Sequence, residues 1–213
     1  TGFGCTEDTE KFLLAMINNH EQQLTPTAFM QSTHNTISGQ IAIMLQCKGY
    51  NFTYVHRGAS FEAALMDSLM LIEEGNASKI LVGGFDENSK NLHITTGRMG
   101  HWKKENINSL QLLESRTPGT ISGEGSTFFM LTDKEDDNNY ALLKGLSVFY
   151  KPENEREVEK RLAAFLEQNN LKADEIDLVV YGLNGDIRTD DIFYHLQNNF
   201  LKNSAGAYYK HLC

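Results

Sequence analysis

Short apolar segments typical of β-strands alternate with amphipathic helical segments along most of this chain. The helical segments repeat apolar residues every three or four positions, as Phe61, Leu65 and Leu69 do. Such alternation predicts a layered α/β fold with a largely parallel sheet. The strand-like segments are 52–55, 79–84, 126–131, 140–150 and 176–181, and the helical ones are 8–19, 37–45, 61–72, 158–166 and 190–200.

Single residues indicate where some elements begin and end. Thr6 is expected to cap the first helix, because its hydroxyl can accept a hydrogen bond from a free N–H of the first turn. Gly49 is expected to end the second helix in the left-handed conformation, and Gly75 to end the third. Pro26 is expected to break the chain between the first two helices.

The 79–84 strand is apolar without alternation, which is typical of a strand covered on both faces. Residues 86–118 are polar and weakly periodic, so we expect a long excursion over one end of the sheet.

The chain divides at an acidic turn cluster, Asp133–Asn139. The cluster contains no Gly/Ser or Pro linker, so we expect two halves of one compact unit. Residues 1–132 would form the first half and residues 140–213 the second. The cluster also lacks the glycine and the final glutamate of a calcium-binding loop, which favours a solvated turn.

Charge and cysteine usage exclude several classes of protein. The 213 residues include 19 Lys and Arg against 28 Asp and Glu, a net charge of −9, so nucleic acid and anionic membranes are not expected as partners. No apolar run approaches the ~20 residues of a membrane span, and no leader is visible, so we expect a cytoplasmic protein. Cys5, Cys47 and Cys213 are widely spaced, which favours reduced thiols over disulfides or a zinc site.

The most informative local pattern is a strand, a tight turn and a helix around Gly58. A residue at such a bend lies at the helix N-terminus, where free N–H groups and the helix dipole favour an anion. Enzymes place nucleophiles there, because a thiolate is stabilised and the N–H groups form an oxyanion hole. A serine-hydrolase elbow is disfavoured, since Glu62 stands where its second glycine would be. A helix start with Ser60 as an ordinary N-cap stays the alternative.

Three blocks of the sequence resemble the β-ketoacyl synthases. The first block comprises Asn51–Leu65, Ile72–Gly75 and Val82–Glu87. It is similar to the strand that ends at the family's active-site cysteine, the helix that follows, and the strand that closes with Gly-Gly-x-(Asp/Glu)-Glu. Gly119–Gly125 resembles the Gly-x-x-x-Gly-Glu-Gly segment, and Leu171–Gly182 resembles the run into the His-Gly-Thr motif. The blocks cover most of the chain but only part of a typical synthase.

The divergent β-ketoacyl synthase-like N-terminal domain group, found with bacterial aryl-polyene and flexirubin-type pigment pathways, gives the nearest resemblance. It implies a thiolase-like α/β fold of two related halves, with mixed, mostly parallel sheets layered with helices. The chain would cover only part of that fold and lack its first strand. The resemblance also implies an acyl carrier protein, an intact ketosynthase subunit or both as partners, in a homo- or heterodimer, with no cofactor and no metal.

Departures from the family pattern indicate impaired catalysis. The nucleophile position falls on Gly58, the first catalytic histidine on Tyr181, and the threonine of the same motif on Leu183. The second histidine would lie just beyond residues 210–213. Decarboxylative condensation needs a thiolate and two histidine donors. The chain therefore resembles chain-length factors, which lack the nucleophile and pair with an active synthase.

Two other functions stay open. One is an active 3-oxoacyl-ACP synthase or acyltransferase with a displaced nucleophile, although neither Cys5 nor Cys47 matches the bend. The other is a scaffold with no acyl pocket.

In the family, the strand before the bend pairs across a two-fold axis, which makes 52–55 the candidate dimer edge. An internal strand is the alternative. The edge residues are Phe52, Thr53, Tyr54 and Val55.

Candidate acyl-site residues cluster at the bend and near the third block. His56 and Arg57 could hold a carboxylate, a phosphopantetheine phosphate or an acidic patch, or could satisfy loop carbonyls or Glu62. His93 and His101 lack metal-ligand spacing. Because carrier proteins are acidic, docking needs a local basic spot, for which Arg57, Arg98, Lys103 and Lys104 are candidates. The full set of acyl-site candidates is His56, Arg57, Gly58, Ser60, Tyr181 and Asn184.

Overall fold

A computed structural model describes residues 1–212, and Cys213 lies outside the described residues. The helices are α1 (Thr6–Asn18), α2 (Pro26–Ser32), α3 (Thr36–Met44), α4 (Ser60–Glu73), α5 (Lys90–Arg98), α6 (Glu155–Gln168) and α7 (Ile187–Asn198). The strands are β1 (Lys79–Asp86), β2 (Gly125–Thr132), β3 (Leu178–Val180) and β4 (Ala205–Ala207).

The chain forms two compact units. Residues 1–93 and 123–141 make the first unit, and residues 94–122 and 142–213 make the second. These units are defined by spatial proximity, whereas the halves expected from the sequence are defined by relatedness. The boundaries of those halves therefore stay a prediction.

The first unit is built on an antiparallel pair, β1 and β2, with α4 packed against β1. Glycine is required at position 83, because a Cβ there would overlap the ring of Phe128 and lie 2.5 Å from the carbonyl oxygen of Thr127. Val82 is buried, but Leu81 and Phe129 are exposed. The prediction that this strand is covered on both faces is therefore wrong for the part of the chain described.

The starts of two helices differ from the sequence-based prediction. Cys5, not Thr6, occupies the N-cap of α1, and the Thr6 hydroxyl instead donates to the carbonyl of Glu87 at 3.4 Å. Where a chain break was expected, Pro26 opens α2. Proline is tolerated at the first position of a helix, because the N–H that it lacks would have no intrahelical partner there.

Two further predictions in the helical regions are also corrected. Helix α3 ends at Met44, and the left-handed residue that follows is Gln46, with a φ of 53°, rather than Gly49. The polar stretch 86–118 contains α5, whose apolar residues are too few to give a clear helical period. By contrast, Gly75 does terminate α4 in the left-handed conformation, with a φ of 72°.

Two predicted strands, 52–55 and 140–150, pair with no other strand within residues 1–212, so those predictions are wrong for the described chain. The rings of Tyr50, Phe52 and Tyr54 nevertheless follow one another at 6.1 and 5.0 Å, as alternate residues of an extended segment do. Segment 50–55 thus brings three aromatic rings into contact but has no strand partner within residues 1–212.

The second unit has a parallel pair, β3 and β4, in which Leu178 lies opposite Ala205. Helices α6 and α7 contribute Val158 and Leu196 to its core, which confirms the helical stripes predicted there. Each helix starts at a side-chain cap: Asn154 accepts from the N–H of Glu157 at 3.1 Å, and Asp186 from that of Arg188 at 3.0 Å. The other buried members of this core are Tyr181, Leu183 and Leu201.

Candidate functional site

The bend before α4 is a single 3₁₀ turn over Arg57–Ala59. Arg57 takes the left-handed conformation, with a φ of 54°, which is uncommon for a residue other than glycine. Gly58 does not, and a Cβ built on it meets no atom within 4 Å. The position that the family resemblance assigns to the nucleophile therefore lacks a side chain, yet it has room for one.

Ser60 is buried and belongs to the turn itself. Its hydroxyl oxygen accepts a hydrogen bond from the N–H of His56 at 2.8 Å, and its proton is donated to the carbonyl of Arg57 at 2.7 Å. Ala59 is the N-cap of α4, so the interpretation of Ser60 as an ordinary N-cap is wrong. Both hydrogen bonds hold the bend closed and occupy the hydroxyl.

Replacing Ser60 by alanine is expected to destabilise the first unit by about 1–3 kcal/mol, because the N–H of His56 loses its acceptor and the carbonyl of Arg57 loses one of its two donors, keeping the Ser60 N–H. Ser68→Ala is the matched control, since Ser68 is equally buried in the same helix but only donates to the carbonyl of Ala64 at 2.8 Å. Urea unfolding of the two variants checks this. Equal losses would show that the turn does not depend on Ser60.

A cavity of about 490 Å³ lies beside the bend in the first unit. It is bordered by α3, segment 49–54, α4 and β1, and apolar side chains dominate its wall. Residues of both strands of the β1–β2 pair, including Ile80 and Phe128, form part of its wall. Its apolar lining comes mainly from Ile37, Ile41, Leu45, Phe52, Leu71, Ile80, Val82, Phe85 and Phe128.

Four side chains on the wall of this cavity carry groups that can exchange a proton: Cys47, Tyr50, Tyr54 and Asp67. Desolvation of its hydroxyl, and then its hydrogen bonds with Asp67 and Tyr54, raise the pKa of Tyr50 to about 12, so the phenol stays protonated at neutral pH. Cys47 is exposed and also borders the cavity. Cys5 does not border it, and burial, followed by the charges of Glu87 and Asp8, raises the pKa of its thiol.

The Asp86–Glu87 pair, to which sequence reasoning gave no role of its own, anchors the 1–7 segment. The Asp86 carboxylate accepts hydrogen bonds from the N–H groups of Gly2 and Phe3 at 2.9 and 2.7 Å. Partial burial acts to raise the pKa of Asp86, but these bonds outweigh it and hold the pKa below its ordinary value. Glu87 accepts from the N–H of Glu7 in the first turn of α1 at 2.9 Å.

Tyr181 and Leu183, the positions to which the resemblance assigns the family's histidine and threonine, are both buried in the second unit's core. The Tyr181 hydroxyl has no hydrogen-bond partner within the described residues, and burial raises its pKa. The ring packs edge-on against Phe193, with the centroids 6.4 Å apart. Tyr181 therefore contributes to packing, and its hydroxyl does not reach an open pocket in the described chain.

Asn184 lies in a loop that is held by hydrogen bonds within the second unit. Its carbonyl accepts from the Thr120 hydroxyl at 2.5 Å, and its side-chain oxygen accepts from the N–H of Asp186 at 2.9 Å. The buried Asp190 carboxylate accepts from the N–H groups of Asn184 and Gly185 at 3.1 and 2.8 Å. The loop is therefore rigidly placed before α7.

The basic candidates differ in availability. Arg57, Arg98 and Lys104 are exposed, whereas the Lys103 ammonium donates to main-chain carbonyls of its own unit, including that of Gly185 at 2.9 Å. The prediction that Lys103 offers a docking charge is therefore wrong. Within residues 1–212, no three His, Cys, Asp or Glu side chains gather as a metal site requires, and no helix has the length and apolar run to cross a bilayer.

The sequence model of the β-ketoacyl synthase N-terminal domain matches residues 1–137, which is more than half of the chain. The chain belongs to the β-ketoacyl synthase family. No curated protein sequence matches it significantly. Its structural relatives confirm the thiolase-like α/β fold expected from the resemblance, although within residues 1–212 one paired sheet is antiparallel and the other parallel.

Three solved structures show the likeness. A β-ketoacyl synthase from Burkholderia phymatum STM815 has a TM-score of 0.68 at 15% identity, over 95% of this chain and 53% of that one. The ishigamide ketosynthase/chain length factor has a TM-score of 0.62 at 20% identity, over 84% of this chain and 48% of that one. AntDE:AntF, a type II PKS acyl-carrier protein in complex with its ketosynthase bound to the hexaketide, has a TM-score of 0.69 at 11% identity, over 97% of this chain and 57% of that one. The chain thus spans about half the length of these relatives.

In this β-ketoacyl synthase-family chain, the candidate residues fall into two groups. His56, Arg57, Gly58 and Ser60 meet at the bend of the first unit, beside the cavity. Tyr181 and Asn184 belong to the second unit, one in its core and the other in its loop. Asp67 and Tyr50 on the cavity wall carry no sequence signal, because no local pattern marks a polar residue that meets its partner only in the folded chain.

Proposed function

We propose that this chain is a non-catalytic, β-ketoacyl synthase-like partner or chain-length-determining subunit in fatty-acid- or polyketide-type synthesis, of the aryl-polyene kind. It would act in the cytoplasm with an acyl carrier protein and an intact ketosynthase subunit, as one member of a homo- or heterodimer. The observation that carries the proposal is Gly58 at the bend before α4. A glycine offers no sulfur or oxygen to form an acyl ester.

The surroundings of the bend support a role without covalent chemistry. The Ser60 hydroxyl is occupied by two backbone hydrogen bonds, so it does not replace the missing nucleophile. Tyr181, at the first histidine position, is enclosed by apolar side chains. The apolar cavity beside the bend is of a size that suits an acyl chain, and its wall would limit how far that chain extends.

Incubation with an acyl carrier protein that carries a radiolabelled acyl group tests the proposal. We expect no covalent acyl label on the wild-type chain and co-purification with a cysteine-containing ketosynthase. Label on any cysteine or serine, located by peptide mapping, would overturn the non-catalytic assignment. A chain that carries no acyl label and also fails to co-purify with a ketosynthase would favour a scaffold.

One observation favours a second candidate, an acyltransferase with a displaced nucleophile. Cys47 is exposed and borders the same cavity as the bend. In that case the Cys47 thiolate would attack the acyl thioester carbonyl, and the carrier thiol would leave with a proton. Loss of the acyl label in Cys47→Ser would support this candidate.

A further inference from the structure

The ammonium group of Lys103 is surrounded by oxygen atoms of the second unit. Its Nζ lies 2.9 Å from the carbonyl oxygen of Gly185, and 3.0 Å from both the carbonyl and the hydroxyl oxygen of Thr117. The carbonyl oxygen of Ser115 is 3.4 Å away. We call these four oxygens the oxygen cage. Three of them are main-chain carbonyls, so the cage is set by the course of the backbone.

The point from which the Lys103 side chain enters is also fixed. The Lys103 N–H donates to the carbonyl of Thr120 at 2.9 Å, and the N–H of Thr120 donates to that of His101 at 2.9 Å. At Gly119, whose φ is 91°, a Cβ would lie 2.6 Å from the backbone of Trp102. The two backbone stretches therefore approach too closely for any residue but glycine, and Lys103 starts from a rigid base.

A carboxylate adds negative charge beside the cage. Glu105 accepts a hydrogen bond from the Ser115 hydroxyl at 2.9 Å and another from the hydroxyl of Thr117. These bonds, that of Thr117 first, lower the pKa of Glu105 to about 2, so it is ionised at neutral pH. The Thr117 hydroxyl thus accepts from Lys103 and donates to Glu105. Carbonyl oxygens with a nearby carboxylate are a favourable environment for a monovalent cation.

We propose that the oxygen cage is a monovalent-cation site which the protein fills permanently with its own lysine. The Lys103 ammonium group connects residues 115–117 to Gly185. Gly185 follows Asn184, whose carbonyl accepts a hydrogen bond from the Thr120 hydroxyl. Lys103 is then a positioning residue for the loop before α7. The inference does not depend on whether the chain is catalytic, because it concerns the second unit by itself.

Chemical rescue tests the proposal. We expect Lys103→Ala to lower the melting temperature by roughly 5–10 °C, since the cage loses a charged donor. Potassium or ammonium ions, at constant ionic strength, should recover about half of that loss, because carbonyl oxygens can replace the hydration shell of such ions. Lithium and tetramethylammonium should recover none, and the wild type should show no cation preference.

Two control variants separate a specific site from general salt effects. Lys104→Ala removes an exposed charge from the adjacent position and should neither lose stability nor respond to the ion. Lys103→Met keeps a stem of similar length that occupies the cage, so it should lose stability without rescue. Equal recovery with every cation, or no recovery with any, would overturn the proposal. If Lys103→Ala does not fold in lithium chloride, refolding yield from urea in each salt replaces the melting temperature, with the same expected order.

Discussion

Gly58→Cys is expected to convert a chain that takes no acyl label at the bend into one that takes about one acyl group per chain. The added Cβ meets no atom within 4 Å, and Gly58 does not need a left-handed backbone. The thiol would precede the first turn of α4, where free N–H groups and the dipole lower its pKa. Its thiolate can attack an acyl thioester, form a new thioester and release the carrier thiol.

Octanoyl-acyl carrier protein and mass spectrometry of the tryptic peptides provide the measurement. In Gly58→Cys, alkylation by iodoacetamide should also be at least about tenfold faster at the introduced thiol than at Cys5, whose thiol pKa is raised by burial. Gly58→Ala is the matched control: it changes the backbone in the same way, adds no thiol, and should alter stability by less than about 1 kcal/mol. If Gly58→Cys gained no more label than Gly58→Ala, the bend would not be an acyl site.

The elements that the sequence predicted well are those whose apolar residues repeat within one segment. Helix α4 and its Gly75 terminator, the strand β2 and the buried stripes of α6 and α7 are found where expected. In each case the repeat of apolar residues lies within one segment, so it indicates the element whatever other parts of the chain pack against it. The same holds for the bend, because a strand-like segment leads directly into a strong helix there.

Features that depend on distant residues were not predictable in this way. Residues 52–55 and 140–150 have strand-like composition, but a strand exists only with a hydrogen-bonded partner, and residues 1–212 supply none. Lys103 looks like a surface charge in the sequence, whereas its acceptor at Gly185 lies 82 residues away. Asp86 similarly binds N–H groups more than 80 residues distant.

The unpaired segment 52–55 gives the second large effect. Replacing Phe52 by aspartate is expected to weaken association through this edge by at least about thirtyfold, because central aromatic residues of interfaces contribute about 2 kcal/mol or more. Phe52 is 61% exposed, and its ring stacks on that of Tyr50 and contacts that of Tyr54 at a tilt, so its substitution disturbs little of the first unit's own packing. Sedimentation velocity measures self-association, and co-purification with a tagged, intact ketosynthase measures the mixed pair.

Two further variants show whether the edge pairs as a strand. Tyr140→Asp changes a fully exposed aromatic residue outside the segment and should leave association unaltered. Val55→Pro removes a main-chain N–H while keeping an apolar side chain, so it should weaken association only if a ladder forms across the interface. Loss in both Phe52→Asp and Val55→Pro would indicate strand pairing, and loss in Phe52→Asp alone would indicate side-chain contact. Association that survives both variants would exclude 52–55 as the dimer edge, because an interface built on that segment cannot tolerate a buried charge and a missing donor together.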